Sequence, residues 1–205
     1  HELAEMGGMA EEAIEKVIRA LKNKNPDLAT SVIHGDRALN DMERTIESHC
    51  LELMLKQQPV AKDLRSVSTA LKVVTDMERI GDHAADIAEL ALRSNNIEEL
   101  SNNQDILQMA KEAQEMVRDA VEAFILLDLE RAKEIMKRDD VIDQLFDKAK
   151  TDVIEFAKND RSKVDLAIDI MMITKYLERI GDHAVNICEW TEFQTTGSVK
   201  HVRLL

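Results

Sequence analysis

Aromatic residues are scarce in this chain: one Trp, one Tyr and four Phe among 205 residues. Proline occurs twice and glycine six times. A sheet-rich fold draws on aromatic and β-branched side chains and on frequent turn residues, so these shortages argue against one. Cysteine is almost absent too. Cys50 and Cys188 lie outside any Cys-x-x-Cys spacing, and both fall at apolar helix positions. They are expected as small buried hydrophobes in a reducing compartment. Long apolar runs are missing, the longest being Ala123–Leu127, so no membrane span is expected. The first twenty residues are acidic and lack the apolar block of a signal peptide. A soluble, cytoplasmic protein is the expectation, and a short stretch is expected to precede His1, which is not a Met. Positive charge is also short, with 27 Lys and Arg against 40 Asp and Glu, for a net charge of −13. Nucleic acid is therefore a poor partner. Cations, or a basic patch on another protein, suit such a field better.

What is abundant is Ala, Leu, Ile, Met, Glu and Lys, the residues of long helices. Apolar positions recur at helical spacing nearly throughout. The pattern predicts a helix from the start to about Lys22, broken by Asn25-Pro26-Asp27. A second, kinked near His34-Gly35, reaches about Lys56, and a third runs from about Val60 to Arg93. The cycle repeats near Asp105–Leu127, Leu129–Lys158 and Ser162–Thr195, after a linker bracketed by Ser94–Asn96 and Ser101–Asn103. Glu-Arg-Ile-Gly-Asp-His-Ala occurs at Glu78–Ala84 and again, 100 residues later, at Glu178–Ala184. Between Glu78–Glu89 and Glu178–Glu189 nine of twelve positions are identical. Upstream the offset becomes 103, pairing Asp36 with Asp139, Asn40 with Asp143, and Leu39 with Ile142. The expected fold is all-α: two tandem-repeat three-helix bundles side by side, residues 1–98 and 99–205.

The residues held constant between the copies are polar, which a packing constraint alone would not select. Glu78, Asp82 and Asp86 follow at i, i+4 and i+8 along one helix face, as do Glu178, Asp182 and Asn186. Like charges four apart cost a helix roughly 0.2–0.5 kcal/mol per pair. Repeating that cost in both halves calls for a compensating cation. Asp36 with Asn40, and Asp139 with Asp143, supply matching rows on the preceding helices. Oxygen-only rows suit Mg²⁺, Ca²⁺, Mn²⁺ or iron, and several carboxylates in line could bridge more than one ion. The bland alternative is a solvated acidic face. Gly81 and Gly181 each cost roughly 1 kcal/mol against alanine, which points to close approach of a neighbour or a ligand, or to tight helix packing alone. His83 and His183 read as hydrogen-bonding or surface residues before ligands. Arg79 and Arg179 read as partners of Asp82 and Asp182, and Trp190 as a packing residue between bundles or subunits.

The doubled heptapeptide, the Gln57–Pro59 turn and the closing Thr196-Gly197 make the chain resemble the PhoU family of phosphate-uptake regulators over its whole length. The resemblance implies paired three-helix bundles carrying multinuclear clusters of iron, or of zinc, manganese or magnesium. Asp36, Asn40, Glu78, Asp82 and Asp86 would hold one cluster; Asp139, Asp143, Glu178, Asp182 and Asn186 would hold the other. Asn40 and Asn186 stand where carboxylates are expected, so the two sites differ. It further implies a homodimeric, non-enzymatic negative regulator, acting through the ATPase subunit of the phosphate ABC transporter and a sensor histidine kinase and reaching the membrane only through them. A carboxylate-bound metalloenzyme and a metal-independent docking protein remain as rivals. No Glu has a His three residues on, as di-iron bundles require.

Overall fold

In the computed structural model, residues 1–60, 62–199 and 202–203 are described. Ala61, in the expected third helix, and Lys200, His201, Leu204 and Leu205, in the expected second bundle, lie outside them. Helices α1 (Glu2–Asn23), α2 (Pro26–Gln57) and α3 (Lys62–Arg93) form the first bundle. A short α4 (Ile97–Asn102) leads into α5 (Gln104–Leu126), α6 (Leu129–Asn159) and α7 (Val164–Thr196), the second bundle. A 3-10 turn at Arg161–Lys163 precedes α7, and a small antiparallel pair, β1 (Ser198–Val199) and β2 (Val202–Arg203), follows it. The fold is the expected pair of repeated three-helix bundles.

The duplication extends to the caps. Lys24 and Leu127, equivalent residues, both end their helix in the left-handed region, at φ 51° and 53°. The next residue starts the following helix. Asn25 accepts from the Leu28 N–H and Asp128 from the Arg131 N–H, each at 3.0 Å. A side-chain oxygen there satisfies a donor that the helix start leaves free. Pro26 sits at the first helical position, where its missing N–H costs nothing.

Three expectations change. At His34-Gly35, the site of the expected kink, α2 continues as helix without a break. A lone glycine weakens a helix without breaking it when every other residue keeps its backbone bond. The third helix begins at Lys62, leaving Pro59 in the turn before it. The linker is not a plain loop, because α4 lies within it and buries Leu100 completely.

Helices α3 and α7 carry the repeats against each other. Arg65 lies by Gly197, Asp76 bonds His183 and Asn186, and Ser94 bonds Asp169. Low-numbered residues of α3 thus meet high-numbered residues of α7, so the two helices run antiparallel. The two copies of the heptapeptide cross at the centre of this pair, where the His83 and His183 rings are 5.6 Å apart. Buried side chains of both repeats form one continuous core, and Cys50 and Cys188 are buried free thiols within it. Leu127→Gly, which relieves a left-handed residue of its Cβ, is expected to raise the unfolding free energy by about 1 kcal/mol in urea denaturation.

Candidate metal centre

Each repeat sets a row of oxygens from its second helix against the motif on its third. At Gly81 a Cβ would run into Leu39 Cδ1 and lie 3.5 Å from Asp36 Oδ1. At Gly181 it would lie 2.9 Å from Ile142 Cδ1 and 3.6 Å from Asp139 Oδ1. The glycines therefore let a leucine and an isoleucine of the neighbouring helix seat directly on the motif. That contact brings the aspartate three residues earlier to the same place. The packing reading of the glycines and the acidic reading of the motif are one arrangement.

In the first repeat Asp36 Oδ1 and Glu78 Oε2 are buried without a hydrogen-bond partner. Asp36 Oδ2 accepts from Asn40 Nδ2 at 3.0 Å. Arg79 Nη1 donates to Asp82 Oδ2 at 2.8 Å, as expected, and Arg79 Nε lies 3.5 Å from Glu78 Oε2 without bonding it. Loss of water, then the charges of Asp82, Glu43 and Asp36, push the Glu78 carboxyl up to about 7 although Arg79 pulls the other way. Burial and Asp82 raise Asp36 as well. Asp86 stands nearer solvent, 3.5 Å from His83 Nδ1, and its charge also reaches Asp36.

The second repeat is built alike with different counter-charges. Asp139 Oδ1 is buried and unpartnered. Burial, then Asp143, Asp182 and Glu178, push its carboxyl up to about 6. Desolvation and then Glu178 raise both Asp143 and Asp182, even though both residues are exposed overall. Arg179 does not repeat the pairing of Arg79 among the described residues. Lys175 serves instead, its Nζ 2.5 Å from Glu178 Oε2 and 5.3 Å from the Phe146 ring centre. Asn186 turns away from this group and donates to Asp76 Oδ1 at 3.0 Å.

Sequence reasoning missed several participants. Glu43 extends the α2 row at i+7 from Asp36, a spacing that could have revealed it, and Phe146 replaces it in the second repeat. Asp76 and Tyr176, equivalent residues, receive the two motif histidines. Asp76 Oδ1 bonds His183 Nδ1 at 2.8 Å, and the Tyr176 ring stacks on His83 with centres 5.6 Å apart. Only the antiparallel α3–α7 contact makes these pairs. The histidines face each other across the repeats, and His83 touches the first row only at its end, through Asp86.

The chemistry of these rows fits a hard cation. Oxygens are the only donors, three of them are buried without a hydrogen bond, and their mutual repulsion disfavours ionisation. Among the described residues no three His, Cys, Asp or Glu are already gathered around one point, so a cation would have to draw the carboxylates in.

The PhoU domain model matches residues 3–91 and again 106–191. The phosphate-specific transport system accessory protein PhoU homolog of Clostridium acetobutylicum is 38% identical over 96% of the chain and 90% of that protein. This chain belongs to the PhoU family. The PhoU protein of Escherichia coli K12 is 31% identical over 96% of the chain and 82% of its own length. Crystal structures of PhoU from Pseudomonas aeruginosa and from Streptococcus pneumoniae superpose with TM-scores of 0.91 and 0.90, at 31% and 29% identity. They cover 96% and 98% of the chain, and the chain covers 95% of each.

Two measurements follow from the geometry. A carboxyl raised in the folded state contributes stability that is complete below its ordinary value and lost as pH rises through the raised one. For Glu78 that window runs from 4.5 to about 7, so metal-free protein should lose stability relative to Glu78→Gln as pH rises across that range, with little further loss above it. The loss is up to roughly 3 kcal/mol, visible as several degrees in Tm. Gly81→Ala should lower stability by about 1–2 kcal/mol in denaturant titration, because overpacking against buried Leu39 outweighs the gain in helix propensity. Gly35→Ala, with nothing within 4 Å of its Cβ, should raise it by up to about 1 kcal/mol.

Proposed function

We propose that this chain is a regulatory accessory protein of a phosphate-specific transport system that carries metal on its two acidic seams. The observation that carries the metal reading is the doubled arrangement of unpaired buried carboxylate oxygens beside Gly81 and Gly181. The names of its relatives support the link to phosphate transport. Asp36, Glu78, Asp82 and Asp86, with Glu43 close by and Asn40 as a neutral donor, would hold cations in the first repeat. Asp139, Asp143, Glu178 and Asp182 would do so in the second, with Asn186 engaged elsewhere. Iron, zinc, manganese or magnesium would serve, alone or as clusters.

A bound cation supplies positive charge that lets these carboxylates ionise together and ties the second helix of each repeat to its third. Arg79 and Lys175 partly neutralise the same oxygens beforehand and would swing aside on loading. The four-carboxylate seams therefore act as metal-dependent clasps on the shape of each bundle, suited to a regulator that presents different surfaces to its partners. Those partners, by family resemblance, are the transporter ATPase and a sensor histidine kinase. The protein would restrain uptake and starvation signalling as a cytoplasmic homodimer, without catalysis of its own. No helix among the described residues is long and apolar enough to cross a membrane, so contact with the membrane would run through the partners.

The test is elemental analysis of untagged protein beside an Asp82→Asn/Asp182→Asn double variant. Several equivalents of metal in the parent, lost in the variant and accompanied by a chelator-sensitive Tm, are expected. A parent that stays metal-free and cannot be loaded would leave the acidic seams as docking faces for a basic partner.

A further inference from the structure

The two faces of the α3–α7 pair differ, although the repeats that make them are related. On one face a groove of about 550 Å³ opens between α2, α3 and α7. Trp190 forms a wall, Leu71 adds apolar surface, and Glu47, Asp76 and Glu189 bring carboxylates. Asn186 and Thr75 supply further polar groups, and Lys72 stands exposed on the rim. The equivalent positions on the opposite face read quite differently. Glu47 corresponds to Lys150, Thr75 to Lys175, Asp76 to Tyr176 and Trp190 to Leu90. Asn186 and Glu189 correspond to Asp86 and Glu89, so both faces hold carboxylates, but one sets them beside an indole while the other adds Lys150 and Lys175 and a tyrosine that fills space by stacking on His83.

We propose that this groove is a docking site for an arginine side chain presented by a partner protein. A guanidinium is planar and weakly hydrated, so it stacks on an indole and at the same time bonds carboxylates in the plane of its fork. Lysine, a compact and strongly hydrated charge, gains less from that combination. The site is prepared for such a guest. Phe193 meets Trp190 edge-on with ring centres 5.9 Å apart, which fixes the indole. Asp76 is held in place because its Oδ1 accepts from both Asn186 Nδ2 and His183 Nδ1. Among the described lining residues, Glu47 and Asp76 outweigh the ammonium of Lys72, whose exposed side chain can swing outward, and the net charge of −13 draws a cationic partner in. The groove adjoins the first seam, since Thr75 and the charge of Glu47 both act on Glu43, but none of its own carboxylates is a proposed metal ligand, so arginine docking does not require metal.

Trp190 is the only tryptophan in the chain, so its fluorescence reports on this groove alone. Full-length protein would be titrated with a short peptide holding two arginines, and with the same peptide carrying lysines, at fixed ionic strength. The arginine peptide should shift or quench Trp190 emission and bind at least roughly fivefold more tightly than the lysine peptide. Calorimetry on Glu47→Lys and Trp190→Leu, each taking the residue of the opposite face, should abolish that preference. Circular dichroism would confirm that both variants remain folded. Equal binding of the two peptides, or an arginine preference that survives in both variants, would reduce the groove to unspecific attraction and overturn the assignment.

Discussion

Everything particular to this molecule hangs on one close contact made twice. Leu39 rests on Gly81, and Ile142 on Gly181, in the middle of helices more than thirty residues long. Each contact buries an apolar side chain and carries an aspartate into the seam beside it. The favourable packing is thereby linked to an unfavourable electrostatic arrangement, in which carboxylates lose water and face one another. Hydrophobic burial supplies the stability against which these charges are held. The raised carboxyls of Glu78 and Asp139 are the visible sign of that stored conflict.

A structure that stores repulsion in two seams can be controlled by whatever relieves it. Protons do so at low pH, Arg79 and Lys175 do so in part at all times, and the proposed cations would do so at neutral pH. All would compete for the same oxygens, so bound metal would link pH to helix packing without a separate device. The antiparallel α3–α7 pair then sets the motif histidines against each other between the seams. Asp76 and Tyr176 make the two halves of that contact unlike, so the two repeats are related without being equivalent.

Much of this was legible in the residues. The doubled heptapeptide and the 100-residue offset marked the repeat, and apolar spacing placed six long helices within a few residues of their ends. Asn25-Pro26-Asp27 marked the break between the first two helices, although the capping oxygens of Asn25 and Asp128 showed only in the structure. Helix α2 continues through His34-Gly35 because a single glycine lowers helix stability only slightly. Helix α4 was hidden inside a polar Ser/Asn-rich stretch, too short for periodicity to show.

The sequence alone determined that the chain is helical, duplicated, acidic, and marked by carboxylates four residues apart around a glycine. Those properties are local or periodic, so they can be read along the chain. Tertiary structure decided which oxygens lie unpaired, that Glu43 approaches the first seam, and that Asn186 bonds Asp76 instead of joining the second. It also decided that Lys175, not Arg179, neutralises Glu178, and that Trp190 lines a groove. Apart from the Lys175–Glu178 pair, which lies within one helix, these depend on how a side chain of one helix meets another helix 35 or more residues away, a relation fixed by packing angle and side-chain volume. Helical spacing specifies a face, and only the packed neighbour decides what that face touches.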